Sequence, residues 1–373
     1  MNVHAKTDPQ ALVAEAVAAA IRSGAEEAVH VVAYHRGRKV IDIWDGLADP
    51  ASGRRATADT LYNVYSVSKA VTVTALHIQA EKGLVEYDAP IATYWPEFAA
   101  NGKGAATVRH AITHRTGLPA MPEGITPEQM CDWEFMVDAL ARMAPLAPPG
   151  ERALYQSMTF GWLVGEIVRR SDPQRRDFRQ FVLDELCAPL GLKDLWLGIP
   201  AEAAPRVAKY SDRNENDPEP PADSLYMRSM PHAVALKPRV FDRPDVQRAC
   251  IAAVGGIFNA RDEARFWAML AEGGELDGVR LLSKERVASF STFRENNDEP
   301  DGVMFDFPLP ISAGGYWLGG DRVSSPRAIW HPGRGGSIGW ADPDNRLAVA
   351  VCHNRLFDTR NATSIRSCRS ARS

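Results

Sequence analysis

The sequence predicts a mixed α/β (α+β) fold in which one sheet is assembled from both ends of the chain around an inserted helical region. β-Rich runs near the two termini enclose a long middle section with helical periodicity. The length of 373 residues exceeds the size at which single cores stop growing. We therefore expect a sheet domain formed by residues 1–65 and 251–373, and a mainly helical domain formed by residues 66–250. A small-molecule site is expected in the cleft between them.

The N-terminal region has helix and hairpin patterns. Arg36-Gly37-Arg38 joins two β-rich runs, which is typical of a hairpin. A later stretch has continuous apolar periodicity up to Gly83, which predicts a buried helix. The predicted elements are a helix over residues 9–23, strands over 28–34 and 39–44, and the buried helix over 67–81.

The middle of the chain alternates helical patterns with Pro-rich loops, and strand-like runs follow it. Residues 211–224 form a polar stretch with neither a helix nor a strand signal. The clearest predicted helices cover residues 132–143, 159–170, 178–187 and 261–272, and the predicted strands cover 303–307, 316–318, 338–340 and 347–352.

The composition argues against several classes of function. Lys plus Arg is 43 and Asp plus Glu is 47, so a net charge of -4 gives no reason to expect nucleic-acid or membrane-surface binding. The five cysteines are far apart and form no C-x-x-C pair, which argues against a disulfide framework and a cysteine zinc site. The N-terminus has no secretory signal pattern, and no early apolar stretch is long enough to span a bilayer. We therefore expect a cytoplasmic protein.

Ser66 opens the segment Ser66-Val67-Ser68-Lys69, which is the only S-x-x-K in the chain. Positions i and i+3 of a helix share a face, so a hydroxyl and an amine are held side by side. An amine beside a serine can take its proton and make the serine an attacking nucleophile. The start of a helix also offers free N–H groups and the positive end of the helix dipole.

Ser337 is an alternative nucleophile, because Gly335-Gly336-Ser337-Ile338-Gly339 matches the G-x-S-x-G elbow. In that arrangement the acid and the histidine follow the serine, and too little chain remains after Ser337 to supply them. The residues that follow also have a strand pattern, whereas the elbow requires a helix. The pattern favours a Gly-rich turn into a β-hairpin.

Tyr155-Gln156-Ser157 is the only Y-x-[S/N] segment, and it precedes a predicted helix. A tyrosine titrates near pH ~10, and a neighbouring lysine ammonium would favour its phenolate, so Tyr155 is a candidate general base. The alternative is an aromatic packing residue beside a serine helix cap.

A Gly-rich run from Trp330 to Ser337 lets a ligand approach the backbone, and its N–H groups are candidates for an oxyanion hole. The alternative is a plain β-turn.

His110 and His114 have the i, i+4 spacing of zinc helices, but the glutamate of H-E-x-x-H and a third ligand are missing. A packing role before Gly117-Leu118-Pro119 is favoured for this pair.

Ser66-x-x-Lys69, Tyr155-x-Ser157 and His331-Pro332-Gly333 stand in an order that resembles the serine β-lactamase/penicillin-binding-protein-like superfamily. Within it the chain is similar to the class C β-lactamase-like branch, which includes the family VIII carboxylesterases. The resemblance extends over roughly residues 28–354. It implies a β-lactamase/transpeptidase-like fold: an antiparallel sheet flanked by helices, plus an inserted helical domain. Linking segments that also look similar are Lys82-Gly83-Leu84, residues 88–98, residues 110–119, Pro148-Pro149-Gly150 and residues 255–282.

The resemblance implies that Ser66 is the nucleophile and that Lys69 and Tyr155 share the removal of its proton. Ser66 would attack an ester carbonyl, and the backbone N–H groups of Ser66 and Arg334 would stabilise the oxyanion. The protonated Tyr155 would return a proton to the leaving alcohol, and water would then hydrolyse the acyl-enzyme. Neither a metal nor an organic cofactor is required.

Two differences from the family pattern favour ester substrates. His331 replaces the lysine that helps to bind a substrate carboxylate, and a largely neutral histidine would do this less well. Ser157 replaces the amide residue that contacts a β-lactam or a peptide. These two changes and the lack of a visible export signal predict a carboxylesterase for small esters with short acyl chains. Ser157, His331, Gly333 and Arg334 are the expected oxyanion and substrate-binding residues. Acyl transfer to an alcohol or amine uses the same acyl-enzyme and stays open.

Two alternatives remain: a β-lactamase or D-amino-acid peptidase, and a non-catalytic binding protein on the same fold. The intact set of Ser66, Lys69 and Tyr155 argues against the second.

A further difference lies at the C-terminus, where the family usually ends in an apolar helix packed on the sheet. Residues 358–373 have few apolar positions, and we expect them to be frayed or disordered.

Overall fold

The computed structural model describes residues 8–212, 220–320 and 323–356. Its largest sheet has the strand order β10-β11-β12-β13-β1-β2-β3, and every neighbouring pair is antiparallel. The strands are β1 (Ala28–His35), β2 (Arg38–Asp49), β3 (Arg54–Arg55), β4 (Tyr62–Tyr65), β5 (Leu195–Leu197), β6 (Ser211–Asp212), β7 (Gly256–Phe258), β8 (Glu275–Leu276), β9 (Val279–Arg280), β10 (Trp317–Leu318), β11 (Ile329–Pro332), β12 (Ile338–Asp342), β13 (Leu347–His353) and β14 (Arg355–Leu356).

The large sheet joins the two ends of the chain, as predicted. Strand β1 pairs on one side with β2 through a two-residue turn and on the other side with β13. The turn residues Arg36 and Gly37 both have positive φ, the conformation that a tight hairpin requires. The antiparallel sheet and its helices confirm the predicted fold class.

A smaller sheet has the order β4-β7-β5, with antiparallel pairs. It brings Tyr62–Tyr65, which directly precedes the S-x-x-K segment, against two strands from later in the chain. Because β5 comes from the middle of the chain, this sheet links the inserted region to the rest. The division into two domains stays a prediction.

Most predicted helices are confirmed to within one or two residues. The stretch predicted as a buried helix is α2, in which every residue from Ser68 to Ala80 is buried. The α-helices are α1 (Pro9–Arg22), α2 (Ser68–Glu81), α3 (Val108–Ile112), α4 (Pro127–Cys131), α5 (Trp133–Arg142), α6 (Thr159–Ser171), α7 (Phe178–Val182), α8 (Ala188–Leu190), α9 (Leu225–Ser229), α10 (Pro238–Phe241), α11 (Pro244–Arg248), α12 (Ala260–Ala271) and α13 (Lys284–Ser289). A π-helix, Leu183–Cys187, continues α7, and 3-10 helices cover Ile91–Thr93, Pro96–Gly102, Ala201–Arg206 and His232–Val234.

Helix α12 packs directly on the large sheet. The side chains of Glu263 and Trp267 lie over Gly339 of β12, where a Cβ atom would meet Trp267 Nε1 at 1.9 Å. Cys352 of β13 donates its thiol hydrogen to Glu263 Oε2 at 3.1 Å. The absence of a side chain at Gly339 therefore sets how closely this helix approaches the sheet.

One predicted strand is wrong. Residues 303–307 form turns, because the Asp301 carboxylate accepts the backbone N–H groups of Val303 and Met304. Phe305 and Asp306 both have positive φ, which a β-strand excludes. The strand-like apolar run of this segment therefore does not reflect a sheet.

Two predictions fall wholly or partly outside the described residues. Of the polar stretch 211–224, residues 211–212 form β6, which pairs in parallel with β14, and residues 213–219 are not described. The tail at residues 358–373 is likewise not described. No helix within residues 8–212, 220–320 and 323–356 has the length and apolar character needed to cross a membrane.

Candidate active site

Ser66 lies in a tight turn between strand β4 and helix α2. Tyr65, immediately before it, has a φ of 47°, an uncommon conformation for a residue with a side chain. Asn63 Oδ1 accepts the Tyr65 N–H at 3.0 Å, and the Ser68 hydroxyl donates to the Tyr65 carbonyl. These bonds hold the strained turn, and Ser66 remains partly exposed while its neighbours are buried.

Lys69 is fully buried beside the serine. Its Nζ atom lies 3.1 Å from Ser66 Oγ, 2.7 Å from the Ser157 carbonyl oxygen and 3.2 Å from the Ala253 carbonyl oxygen. Burial lowers the pKa of Lys69 well below its ordinary value. As a neutral amine, Lys69 has two hydrogens for the two carbonyl groups and a lone pair for Ser66.

Tyr155 reaches the same serine from the residues that precede helix α6. Its phenol is buried and close enough to Ser66 to interact with it, and Lys69 Nζ lies 5.1 Å from the ring centroid. Burial raises the pKa of Tyr155, so the group stays a phenol. The expectation that the lysine ammonium would favour a phenolate is therefore wrong, because desolvation is the larger effect.

Ser157 contacts Lys69 through its backbone and not through its side chain. Its carbonyl oxygen accepts from Lys69 Nζ, while its hydroxyl lies 3.0 Å from the hydroxyl of Ser229. Ser157 and Ser229 are both buried. The Ser229 hydroxyl in turn donates to the carbonyl of Tyr226 at 2.8 Å.

His331 lies at the end of strand β11 and is fully buried. Its Nδ1 atom lies 2.9 Å from the Pro332 carbonyl oxygen, which can only accept, so Nδ1 carries the hydrogen. Burial and the nearby Lys69 lower the pKa of His331 to about 3, so the ring is neutral. Its Nε2 atom is then an acceptor, and it has no partner among the described residues.

Gly333 and Arg334 form the turn after His331. The Gly333 N–H donates to the Ser337 carbonyl at 2.6 Å, and a Cβ atom on Gly333 would meet the Val64 carbonyl oxygen at 2.3 Å. Only glycine therefore lets this turn approach strand β4, next to Ser66. Arg334 Nη1 donates to the Tyr226 hydroxyl at 3.2 Å. The turn leads into strand β12, as the hairpin interpretation of the Ser337 segment predicted.

The histidine pair does not form a metal site. The Thr107 N–H donates to His110 Nδ1 at 3.2 Å, and the Gln156 N–H donates to His114 Nδ1 at 3.1 Å. The two rings therefore serve different segments. In the part of the chain that the structure describes, no group of three or more His, Cys, Asp or Glu residues is arranged to hold a metal ion.

Sequence reasoning missed the residues that surround Tyr155. The His114 ring lies 4.5 Å from the Tyr155 ring, and the Asp301 carboxylate accepts the Tyr155 N–H at 3.2 Å. His114 lies in a segment that resembles the family, so the sequence contained an indication that it is near the site. The sequence contained no such indication for Asp301, because 146 positions separate it from Tyr155 and the residues after it were predicted as a strand.

Comparisons with known proteins identify the family and the fold that this chain is similar to. The family model described as Beta-lactamase matches residues 10–367. The protein named Esterase/beta-lactamase LipL from Mycobacterium tuberculosis is 35% identical over 338 residues, covering 87% of this chain and 76% of that protein. The crystal structure of a family VIII carboxylesterase superposes with a TM-score of 0.84 at 29% identity and covers 93% of this chain and 92% of that one. A penicillin-binding protein homologue from Caulobacter crescentus superposes with a TM-score of 0.82 at 30% identity, covering 93% of this chain and 91% of the homologue.

Proposed function

The chain belongs to the beta-lactamase family and is a serine hydrolase of the esterase/β-lactamase type, and we propose that it cleaves small carboxylic esters with short acyl chains through a Ser66 acyl-enzyme. The observation that carries the choice of an ester is the neutral, buried His331. A substrate carboxylate needs a cation or a hydrogen-bond donor, and Nε2 of His331 offers neither. The similarity to a family VIII carboxylesterase supports the same choice.

Lys69 takes the proton of Ser66 in the first step of this proposal. Burial favours the neutral amine, and Nζ is 3.1 Å from Ser66 Oγ, which is within direct proton-transfer distance. Ser66 Oγ then bonds to the ester carbonyl carbon, and the carbonyl oxygen becomes an oxyanion. The serine proton resides on Lys69, which becomes an ammonium.

The oxyanion lies between the backbone N–H groups of Ser66 and Arg334 in this proposal. Within the described residues, neither N–H donates a hydrogen bond to another group, so both are free to bind it. Gly333 supports this arrangement, because its missing side chain lets the Arg334 turn approach strand β4. Losing one such donor typically costs ~3 kcal/mol of transition-state stabilisation.

Tyr155 donates the proton that the leaving alcohol needs. The group is a phenol, since burial raises its pKa, and it lies close enough to Ser66 to interact with it. The C–O bond to the alcohol breaks as the phenol proton moves to the alkoxide oxygen. The Lys69 ammonium then returns the serine-derived proton to Tyr155. In the second half of the reaction water attacks the acyl carbon and gives a proton to Lys69. The bond between Ser66 Oγ and the acyl carbon then breaks, the carboxylic acid leaves, and the Lys69 ammonium returns the proton to Ser66. An alcohol or amine in place of this water gives acyl transfer.

The test is turnover of p-nitrophenyl esters of increasing acyl length, with nitrocefin as the β-lactam probe. We expect the highest kcat/KM on acetate or butyrate esters and weak nitrocefin turnover. Ser66→Ala is expected to abolish both activities and labelling by a fluorophosphonate. Ser337→Ala is the matched control, because it removes the serine of the alternative G-x-S-x-G segment. This variant should keep both activities and the fluorophosphonate labelling.

Strong nitrocefin turnover without ester turnover would replace the esterase proposal with a β-lactamase or peptidase function. Labelling that persists in Ser66→Ala would remove Ser66 as the nucleophile. The cytoplasmic location and the small-molecule partner stay predictions, which fractionation of the native cells and the ester panel test directly.

A further inference from the structure

Tyr155 lies in a segment that belongs to neither a helix nor a described strand. Residues 153–156 have no assigned secondary structure, and no described strand pairs with them. The Leu154 and Gln156 N–H groups both donate to His114, one to its carbonyl oxygen and one to its ring. The position of the Tyr155 phenol therefore depends on the backbone and side-chain groups that bind this short segment.

The opposite side of the segment is bound by two carboxylates. Glu299 Oε1 accepts the Ala153 N–H at 2.7 Å, and Asp301 Oδ1 accepts the Tyr155 N–H at 3.2 Å. The two carboxylates are two residues apart, as are the two N–H groups. Residues 299–301 thus replace a neighbouring strand with side-chain acceptors, and Asp301 is the acceptor that acts on Tyr155 itself.

Asp301 is itself rigidly held. Its side chain is completely buried, and the same Oδ1 atom accepts the N–H groups of Val303 and Met304 at 3.0 and 3.1 Å. The backbone carbonyl of Asp301 also accepts the N–H groups of Met304 and Asp306. A buried carboxylate is costly unless its hydrogen bonds and a positive charge compensate. The buried guanidinium of Arg294 lies close enough to interact with it electrostatically.

We infer that Asp301 is a positioning residue for ester cleavage, because its fixed carboxylate holds the backbone of Tyr155 so that the phenol can protonate the leaving alcohol. This inference rests on the proposed role of Tyr155 as the proton donor. Asp301 itself contacts neither Ser66 nor Lys69 among the bonds described. Its effect on catalysis passes entirely through Tyr155.

Two acetate esters with different leaving groups test this role. p-Nitrophenolate leaves without needing a proton, whereas the alkoxide of ethyl acetate must be protonated. The value of kcat/KM reports the steps up to acylation for each ester. A defect in proton donation therefore lowers kcat/KM for ethyl acetate much more than for p-nitrophenyl acetate, and Tyr155→Phe provides the reference for that selective loss.

We expect Asp301→Ala to lower kcat/KM for ethyl acetate by about 10² and that for p-nitrophenyl acetate by less than about fivefold. Asp301→Asn keeps an acceptor oxygen and should restore most of the ethyl acetate activity. The matched control is Asp342→Ala, because Asp342 is also buried and also accepts two N–H groups of its own turn, those of Asp344 and Asn345. It should leave the ratio of the two activities unchanged.

If circular dichroism shows that Asp301→Ala is unfolded, Asp301→Ser is used in its place. A serine hydroxyl can accept from its own turn but is one bond too short to reach Tyr155. Equal losses on both esters, or no loss, in a folded Asp301→Ala or Asp301→Ser variant would overturn the inference. A native protein that cleaves neither ester would instead refute the proposed function. A Tyr155→Phe variant without selective loss would refute the role of the phenol.

Discussion

The protonation state of Lys69 determines which way a proton can move at Ser66. With three acceptors around Nζ, the ammonium would use all its hydrogens and could take no proton from the serine. The neutral amine keeps one lone pair for Ser66. Burial, which removes the ammonium from water, is thus the source of the basicity that the proposed reaction needs.

Replacing Lys69 by arginine tests this basicity separately from charge. Arginine stays protonated at every accessible pH and cannot accept the serine proton. We expect both Lys69→Arg and Lys69→Ala to lower kcat for p-nitrophenyl acetate by about 10²–10⁴. Native activity should rise with pH as Lys69 loses its proton, with a midpoint well below the ordinary lysine pKa. An active Lys69→Arg enzyme would contradict a role for Lys69 as the base.

Residue-scale features were predictable where they depend on local geometry. The i, i+3 spacing placed Lys69 beside Ser66, and the structure gives 3.1 Å between Nζ and Oγ. The direction of the Tyr155 pKa was not predictable, because it depends on burial by distant parts of the chain. The bond between Asp301 and Tyr155 was hidden for the same reason.

At the scale of elements, the packing of α12 on the sheet depends on one glycine. A Cβ atom at position 339 would meet Trp267 Nε1 at 1.9 Å and Glu263 Oε1 at 2.5 Å, and both side chains are fully buried. Neither has open space to move into. Close-packed interiors respond to such an added carbon by displacement of a helix or a strand.

Gly339→Ala is therefore expected to destabilise the protein by about 1–3 kcal/mol. Gly104→Ala is the matched control, because its nearest atom would be the Ala99 carbonyl oxygen at 3.9 Å, an ordinary contact. Urea unfolding followed by circular dichroism measures both. Equal stability of the two variants would show that the helix can shift without cost.

The elements themselves were predictable where apolar periodicity and burial coincide. Helix α2 and the strands that join the two ends of the chain are such cases. Residues 303–307 were mispredicted, because a buried aspartate two positions upstream captures the N–H groups that a strand would need. A single side chain outweighed the apolar character of this five-residue run.

At the scale of the whole molecule, buried histidines make stability depend on pH. Burial lowers the pKa of His77 and of His331 to about 3, and that of His114 well below its ordinary value. Between pH 6.5 and 3 the unfolded chain binds protons at these positions and the folded chain does not. Stability is therefore complete above pH 6.5 and falls as the pH decreases through this window.

His77→Gln tests this dependence away from the active site. The native ring lies 2.7 Å from the Tyr87 hydroxyl and 2.9 Å from the Gly314 carbonyl oxygen. We expect the variant to be less stable at pH 7 but to lose about 1.4 kcal/mol less per pH unit on acidification. Urea unfolding at pH 7, 6 and 5 measures the slopes. Thr74→Val should give a curve parallel to the native one, because it removes a nearby buried hydrogen bond, to Tyr316, without a titrating group. A parallel curve for His77→Gln would contradict the assignment.

Ser157 binds Lys69 through its backbone carbonyl and Ser229 through its hydroxyl, so the lysine contact does not depend on the Ser157 side chain. Because the backbone oxygen at this position receives the lysine hydrogen, any amino acid that preserves the local chain path supplies the same partner. Among the described residues, the Ser157 hydroxyl bonds to the hydroxyl of Ser229 and takes no part in the lysine contact. Substitutions at position 157 that keep the chain path therefore leave the lysine contact in place, so their effect on activity reports the role of the side chain alone.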